Sequence, residues 1–283
     1  MDSDMVMLRD CSSAFSRSAF TDVLLYDDFS HFDWLCSRYN FRCGTYAALI
    51  NRTYALMARQ YRCEYVYKNE LISHLLKHFG VKDTVYFSEF RVGNSIADMT
   101  MFNGESKAFE IKTEYDSPRR LNKQMADYKR FFDKRYLVVP ERKFNDYLSA
   151  VDDSTGVIVL SELNGHIALY TEKEAEQNNE FDSMAMISCL RIHEYEDIVG
   201  TLGFEVKIIP GYERYKFCSK IFSATPKDEL KELFIGAIKK RTNNTQFLKK
   251  YPVPIRQMLL SLNLSEKQST ILVQKMKTII NKS

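Results

Sequence analysis

Two extended runs joined by Asn103-Gly104 constrain the fold of this chain more than any other feature of its sequence. Residues 95–102 and residues 107–113 both have the character of β-strands, and Asn-Gly between two such runs is a strong signal for a hairpin. The pattern therefore predicts a pair of neighbouring antiparallel strands.

Charged side chains mark one face of the second strand. Because side chains alternate between the two faces of a strand, Ala108, Glu110 and Lys112 share one face. The hairpin brings Asp98 of the first strand near Glu110. A strict two-residue turn would set Asp98 opposite Phe109, so a pairing with Glu110 requires a longer loop or a β-bulge.

Two carboxylates beside a lysine suit one kind of chemistry. Carboxylate oxygens of Asp98 and Glu110 are ligands that Mg²⁺ or Mn²⁺ prefers, and the backbone carbonyl of Ile111 can add another. Such an ion stabilises the charge on a phosphodiester under attack and lowers the pKa of a bound water. Lys112 can orient that water or stabilise the charged phosphate. The stretch is therefore a candidate site for phosphodiester hydrolysis.

The elements around this hairpin predict an α/β fold. An apolar stripe at helical spacing marks a helix that stops at Gly80, and Ser117-Pro118 begins another helix. This order is typical of a mixed central sheet with helices on its faces. In chain order the core is a helix at 64–79, strands at 84–91, 95–102 and 107–113, a helix from Pro118, and a strand at 136–139.

Helical segments are expected on both sides of this core. We predict a helical N-terminal cap at 1–60, the α/β core at 61–175, and a C-terminal region at 176–283 with a basic helical tail. A second hairpin is predicted across Asn164-Gly165, and residues 205–209 are predicted to be extended.

Composition and missing motifs exclude several classes of protein. The chain has no run of about 18 or more apolar residues, so no membrane span is predicted. The N-terminus lacks a signal-peptide pattern and the six cysteines show no CxxC spacing, so we expect a reduced, cytoplasmic chain without a zinc site. HExxH, P-loop, GxSxG and GxGxxG motifs are absent, which leaves zincin, NTPase, α/β-hydrolase and dinucleotide-binding functions without support.

Charge is unevenly distributed along the chain. The formal net charge is +3, but residues 227–283 carry twelve Lys or Arg against four Asp or Glu, so the preceding part carries about −5. A basic C-terminal module suits contact with a polyanion. A lysine-rich, solvated helical surface explains the same pattern without any partner.

At these residues the chain resembles the PD-(D/E)xK nuclease superfamily. Ile96-Ala97-Asp98 matches the aspartate half of the motif, with alanine where the standard motif has proline, and Glu110-Ile111-Lys112 matches the E-x-K half. Gln124 and Tyr128, four apart on the following helix, resemble the Q-x-x-x-Y motif of the RecB-like branch. The resemblance covers about residues 64–140, and at most extends to 175. It is similar to a little-characterised bacterial family from prophage or defence settings.

The resemblance implies a restriction-endonuclease-like core and a Mg²⁺-dependent deoxyribonuclease. It assigns the metal ligands to Asp98 and Glu110 and the catalytic lysine to Lys112. A glutamate on the first helix often joins such sites, and the candidates here are Glu70 and, second, Glu64. The helix periodicity puts Glu70 far from the centre of the apolar stripe, so a solvated glutamate explains it equally well.

Four residues of the next helix are candidates for substrate binding. Gln124 and Tyr128 come from the motif, whereas Arg119 and Arg120 lie where the positive end of a helix welcomes a phosphate. The alternatives are core packing for Tyr128 and a solvated helix position for Gln124. For the two arginines they are a solvated first turn or pairing with Glu114 and Asp116. DNA is the expected substrate, and RNA stays open because none of these residues selects against a 2′-hydroxyl.

Two rival functions fit the same sequence. The first is a catalytically inactive nucleic-acid-binding or defence-modulating protein on the same scaffold, in which Glu110 and Lys112 form an ordinary ion pair. The second is an interaction protein whose terminal helical regions bind a partner protein or form a homodimer, as the aromatic-rich first 60 residues suggest.

Overall fold

A six-stranded mixed sheet forms the centre of the molecule, for which a computed structural model describes residues 3–163, 166–241 and 245–280. The strands lie in chain order across the sheet. Strands β1 to β3 are antiparallel, β3, β4 and β5 run parallel, and β6 is antiparallel to β5. The strands are β1 (Val85–Val92), β2 (Ser95–Phe102), β3 (Ser106–Ile111), β4 (Lys134–Pro140), β5 (Gly156–Leu163) and β6 (His166–Lys173).

Helices cover both faces of this sheet. They are α1 (Ser3–Ala14), α2 (Arg17–Tyr26), α3 (Ser30–Tyr39), α4 (Tyr46–Gln60), α5 (Glu64–Phe79), α6 (Leu121–Lys129), α7 (Phe144–Leu148), α8 (Ser183–Cys189), α9 (Ile192–Thr201), α10 (Gly211–Ala224), α11 (Lys227–Lys239), α12 (Val253–Ser261) and α13 (Glu266–Lys275). None of the helices within the described residues is long and apolar enough to cross a membrane.

Alternation along the strands divides the interior into two apolar cores. Phe109 and Ile111 of β3 face a core that they share with the N-terminal helices, α5 and α12. Ala108 faces the other core, together with residues of α6 and of α8 to α11. Since both faces are covered, every residue of β3 is buried, including Glu110. The α/β architecture expected from the sequence is confirmed.

A three-residue loop sets the register of the β2–β3 hairpin. Phe102 pairs with Ser106, which leaves Asn103, Gly104 and Glu105 in the loop. Gly104 has a φ of 100°, a conformation that glycine adopts without a steric penalty. The ladder continues to Met99–Phe109, so its next position sets Asp98 against Glu110 rather than Phe109. The longer loop that this pairing requires is therefore present.

Local sequence signals located most of the elements. The helix predicted at 64–79 matches α5, which ends at Gly80 as predicted. The second hairpin is formed by β5 and β6, but its predicted turn, Asn164-Gly165, lies outside the described residues.

The extended segment predicted at 205–209 is wrong. Val206–Ile208 form a 3₁₀ turn in which Val206 is buried and Ile208 is exposed. The turn leads into α10, which the sequence analysis did not predict. An alternating run of five residues matches a strand only where a neighbouring strand pairs with it.

The terminal regions pack against the central elements. Helix α12 contacts α5 and β1, and α13 contacts α2. The Tyr65 hydroxyl donates to the Pro254 carbonyl, 2.7 Å away, and the backbone N–H of Gln257 donates to Asn69 Oδ1 at 2.8 Å. The domain boundaries at 60 and 175 stay a prediction.

Candidate active site

Glu110 is the centre of a hydrogen-bonded cluster at the end of β3. Its side chain is 2% exposed. Lys112 Nζ donates to Glu110 Oε1 at 2.7 Å, and Gln124 Nε2 donates to the same oxygen at 2.5 Å. The Tyr128 hydroxyl donates to the other oxygen, Oε2, at 2.6 Å. Three donors from β3 and α6 therefore hold one buried carboxylate in place, as a buried charge requires.

Asp98 lies between the ends of β2 and β3. Its Oδ2 accepts a hydrogen bond of 2.7 Å from the backbone N–H of Ile111, beyond the last rung of the ladder. Burial, and then the Glu110 carboxylate, raise the pKa of Asp98 to about 7, while the Lys68 ammonium opposes this shift. Two carboxylates thus share a poorly solvated space, in which both cannot ionise without cost.

Lys112 and Gln124 join the two elements of the cluster. Besides Glu110, the Lys112 ammonium contacts Gln124 Oε1 at 3.1 Å. Residues Glu110 and Lys112 share a strand face because they are two apart, and Gln124 and Tyr128 share a helix face because they are four apart. The sequence spacing that pointed to these four residues therefore brings all of them together.

Tyr128 serves the cluster from within the core. Its side chain is fully buried, and its hydroxyl also lies 2.9 Å from the carbonyl oxygen of Ile96. Burial, and then the Glu110 carboxylate, raise the pKa of Tyr128, which keeps the hydroxyl protonated as a donor. A direct contact between this side chain and a substrate stays a prediction, and the structure shows the side chain fully buried. Tyr128 is a positioning residue for Glu110.

A second group of charges borders the site, centred on Lys68 of α5. Lys68 is 4% exposed, and its ammonium lies 2.6 Å from Glu64 Oε1 and 3.5 Å from Glu89 Oε1. Burial alone would lower the pKa of Lys68, but the carboxylates of Glu64, Asp98 and Glu89 outweigh it and raise that pKa. Lys68 therefore supplies a fixed positive charge beside Asp98.

Glu89 reaches this group through an unusual backbone conformation. It has a φ of 58°, which residues other than glycine seldom adopt within a strand. In the β1–β2 ladder, the residue pairs immediately before and after this position are formed. Glu89 and Asp98 themselves are not paired in the described ladder. This irregularity in β1 is invisible in the sequence. The i, i+4 spacing of Glu64 and Lys68, in contrast, is visible in the sequence and is the signal that points to this pair.

Glu70, the first helix glutamate proposed as a metal ligand, lies elsewhere. Its Oε1 accepts a hydrogen bond of 2.8 Å from the Tyr54 hydroxyl, and Arg256 is the other charge near it. Glu70 is two residues from Lys68, which on a helix is a rotation of about 200°. The prediction that Glu70 belongs to the site is therefore wrong. Glu64 is the glutamate of α5 on the side of the helix that faces Lys68 and Asp98.

Arg119 and Arg120 occupy the position predicted for them. They lie in a 3₁₀ turn, Pro118–Arg120, that leads directly into α6, and both are exposed. Neither belongs to the hydrogen-bonded cluster around Glu110. Their guanidinium groups are accessible to an anion at the start of the helix that carries Gln124.

The residues of the cluster fit a hard divalent cation that keeps several of its waters. Mg²⁺ is commonly bound by one or two carboxylates. Among the described residues none donates a hydrogen bond to Asp98 Oδ1, so this oxygen is available as a ligand. The Ile111 N–H donates to Asp98 Oδ2. Because the N–H and C=O groups of a strand residue face the same side, the Ile111 carbonyl oxygen faces the Asp98 side as well. In the described parts of the chain, no three His, Cys, Asp or Glu side chains are grouped as a ready-made metal site.

These features define a class of protein: a mixed α/β fold with a carboxylate, lysine and glutamine cluster at one end of its central strands. The sequence matches the family described as Bacteriophage P4 protein cII over residues 57–264. The chain therefore belongs to that family. The match includes the entire sheet and every residue of the cluster.

One curated relative is Protein cII of Enterobacteria phage P4. It is 25% identical over 181 residues, which are 63% of this chain and 67% of the relative. Two solved structures are similar at low level. A protein of unknown function from Silicibacter pomeroyi, SPO1766, has a TM-score of 0.31 and 14% identity, over 39% of this chain and 69% of that one. SfsA of Pyrococcus furiosus, in complex with Ca²⁺, has a TM-score of 0.23 and 13% identity, over 48% and 65%.

Proposed function

We propose that this chain is a metal-dependent nuclease that hydrolyses phosphodiester bonds, with DNA as its substrate. One observation carries the proposal: Asp98 and Glu110 lie together in a poorly solvated space, with the Lys112 ammonium 2.7 Å from Glu110. A buried carboxylate with a raised pKa, here Asp98, beside a second carboxylate and a lysine is typical of functional sites. Membership in a phage protein family supports a phage or prophage setting.

Asp98, Glu110 and the Ile111 carbonyl would hold the cation, Mg²⁺ or Mn²⁺. When bound, the cation would supply Lewis-acid stabilisation of phosphate charge and a water of lowered pKa. The protein's own part begins with Asp98, which must be ionised to serve as a ligand and therefore gives up its proton near neutral pH. Glu110 keeps its orientation through Tyr128 and Gln124.

We assign the contact with the reacting phosphate to Lys112. An ammonium carries three donor hydrogens, and two of them are directed to Glu110 and Gln124. The third is available for a phosphate oxygen or for the attacking water. Because Glu110 and Gln124 fix the ammonium, its positive charge is preorganised where negative charge develops.

Arg119 and Arg120 would position the strand through its phosphates. They are exposed in the 3₁₀ turn that leads into α6, less than two helical turns before Gln124. Arginine contacts to phosphate give affinity without sequence selection. We therefore propose that they affect substrate binding more than the rate of the bond-breaking step.

The test is cleavage of labelled single-stranded and duplex DNA in Mg²⁺ by the protein and by Glu110→Gln and Lys112→Ala. We expect cleavage by the wild type and a loss of about 100-fold or more in each variant. Glu105→Gln, a matched change in the loop of the same hairpin, should retain activity. Cleavage that is equal in all four proteins would contradict the assignment of these residues.

A second candidate function is nucleic-acid binding without catalysis. It is favoured by the three donors that already occupy both oxygens of Glu110, since they balance its charge without any cation. Incubation with DNA in Mg²⁺ and in Mn²⁺ separates the two functions. Salt-sensitive binding with no cleavage in either ion would favour the second candidate.

A further inference from the structure

Helix α10 presents an exposed face of tyrosines and lysines that the candidate active site does not use. Its outward positions recur every three or four residues and lie within about 140° of one another. The face consists of Tyr212, Tyr215, Lys216, Ser219, Lys220 and Ser223. We propose that this face binds single-stranded nucleic acid.

The tyrosines are available as stacking surfaces. Tyr212 is 85% exposed and Tyr215 is 47% exposed. The Tyr215 ring packs edge-on against Tyr195 of α9, with centroids 5.9 Å apart, so one side of it is fixed and the other faces solvent. Aromatic rings held in this way stack with unpaired bases of any sequence.

The charges of the face complement a phosphate backbone. Lys216 and Lys220 are one helical turn apart and line a shallow groove between α8 and α10, opposite Met184. Glu213 is the only carboxylate of α10, and it lies at the edge of the face in the first turn. Lys207, in the preceding 3₁₀ turn, adds a third exposed ammonium.

Arg214 holds the preceding turn against α10, so the two segments form one surface. Its Nε donates to the Ile209 carbonyl at 3.0 Å, and its remaining nitrogens lie 3.4 Å from the Lys207 carbonyl and from Glu196 of α9. Lys207 and Tyr212 are therefore in a defined arrangement. A preorganised surface loses less conformational entropy when it binds a flexible strand.

The composition favours nucleic acid over a protein partner. Tyrosine is enriched in both kinds of interface, but lysine is depleted at protein–protein interfaces. Alternating aromatic and basic positions are the combination that binds single strands, through stacking and through the backbone charge together.

The experiment measures binding of a labelled 20-nucleotide strand by fluorescence anisotropy, with Glu110→Gln as background and EDTA present so that no cleavage occurs. DNA and RNA strands of the same sequence are compared to show which of the two nucleic acids the face binds more tightly. Tyr212→Ala and Tyr215→Ala should each weaken binding by about fivefold or more. Tyr212→Phe, which keeps the stacking ring, should bind as the background protein does.

Lysine variants test the electrostatic part. Lys216→Ala combined with Lys220→Ala should reduce the slope of log K against log salt by about 1.4, since each contact to a single strand contributes about 0.7. Tyr26→Ala and Lys267→Ala, at exposed helical positions elsewhere, are the controls and should change nothing.

The inference would be overturned by no binding of either strand, by binding that the α10 variants leave unchanged, or by tighter binding of duplex than of single strands. Loss of self-association in the Tyr variants, with strand binding intact, would assign the face to a protein interface and overturn it as well. The inference does not rest on the proposed nuclease. Binding that depends on α10 stands even if the wild type cleaves nothing, and cleavage by a protein without this binding leaves the nuclease proposal intact.

Discussion

At the scale of single residues, the site is built around the burial of one carboxylate. Glu110 keeps its place through Lys112, Gln124 and Tyr128. Lys112 is two residues away on the same strand face, and Gln124 and Tyr128 share one helix face because they are four apart. Such local spacings are visible in a sequence, which is why these residues could be predicted. The i, i+4 pairing of Lys68 with Glu64 is visible in the same way. The position of Lys68 beside Asp98 is not, because it depends on how α5 is rotated against the sheet.

Removing the Tyr128 hydroxyl tests how far Glu110 depends on its donors. Tyr128→Phe leaves one buried carboxylate oxygen without its hydrogen bond, so we expect a loss of about 1–3 kcal/mol in the free energy of unfolding. Urea denaturation measures it. Tyr26→Phe, at a tyrosine that is 72% exposed, is the matched control and should cost nothing. A stable Tyr128→Phe protein would mean that water replaces the hydroxyl.

His74 of α5 gives a stability effect that depends on pH. Burial, and then His78 and Lys77, lower the pKa of His74 from 6.5 to about 4. Between these values the unfolded chain binds a proton at His74 and the folded chain does not, so stability falls as the pH falls from 6.5 towards 4.

The change that isolates this effect is His74→Gln, which cannot titrate. Between pH 7 and pH 4.5 the wild type should lose about 1–2 kcal/mol more unfolding free energy than the variant, a figure reduced for the partial exposure of the ring. His193→Gln, at an exposed histidine, should retain the pH dependence of the wild type. Equal losses in the wild type and in His74→Gln would show that the ring is protonated in the folded state.

At the scale of elements, buried Asp133 ties together segments that are far apart in sequence. Its Oδ2 accepts from the backbone N–H of Ser106 at 2.7 Å and from the Ser106 hydroxyl at 2.8 Å, and its Oδ1 accepts from Gln177 at 2.8 Å and from Lys231 of α11. The start of β3, the start of β4, the segment after β6 and α11 therefore meet at one carboxylate.

Asp133→Ala removes this junction. We expect a loss of about 3 kcal/mol in unfolding free energy, because the variant leaves the partly buried Lys231 ammonium and several buried donors without a partner. Asp146→Ala in α7, which changes an exposed aspartate, should cost far less. Denaturant unfolding of the two variants side by side measures the difference, and similar stabilities would show that the junction contributes little.

Elements were predictable from sequence where local signals agreed with tertiary contacts. The Gly80 stop and the apolar stripe of α5, and the loop of the β2–β3 hairpin, act within a few residues, and the structure confirms all three. The 205–209 segment has the alternation of a strand but lies on a surface where it pairs with none, so it forms a turn. The positive φ of Glu89 is not indicated by any local propensity in the sequence.

At the scale of the whole molecule, cation binding should be linked to folding and to pH. The site's two carboxylates come from different strands, so a cation that bridges them stabilises only the folded chain. Asp98 has a pKa of about 7 and must lose its proton first, so affinity should fall by up to about tenfold for each pH unit below 7.

Thermal unfolding in a Mn²⁺ series at pH 6 and at pH 8 measures this linkage. We expect a larger rise in the midpoint temperature with Mn²⁺ at pH 8 than at pH 6, and no rise for Asp98→Asn at either pH. Asp127→Asn, which changes the aspartate that accepts from Ser95 outside the Glu110 cluster, should respond as the wild type does. A response that is the same at both pH values would contradict the role given to Asp98.

The central claim is that Asp98, Glu110 and Lys112 form the active site of a metal-dependent nuclease. The most direct measurement is the initial rate of DNA cleavage by the wild type and by Asp98→Asn, each with Mg²⁺ and with EDTA. We predict cleavage only by the wild type with Mg²⁺, and a rate lower by about 100-fold or more in the variant. A wild type that binds DNA but does not cleave it in Mg²⁺ or Mn²⁺, or an Asp98→Asn protein that cleaves at the wild-type rate, would contradict it.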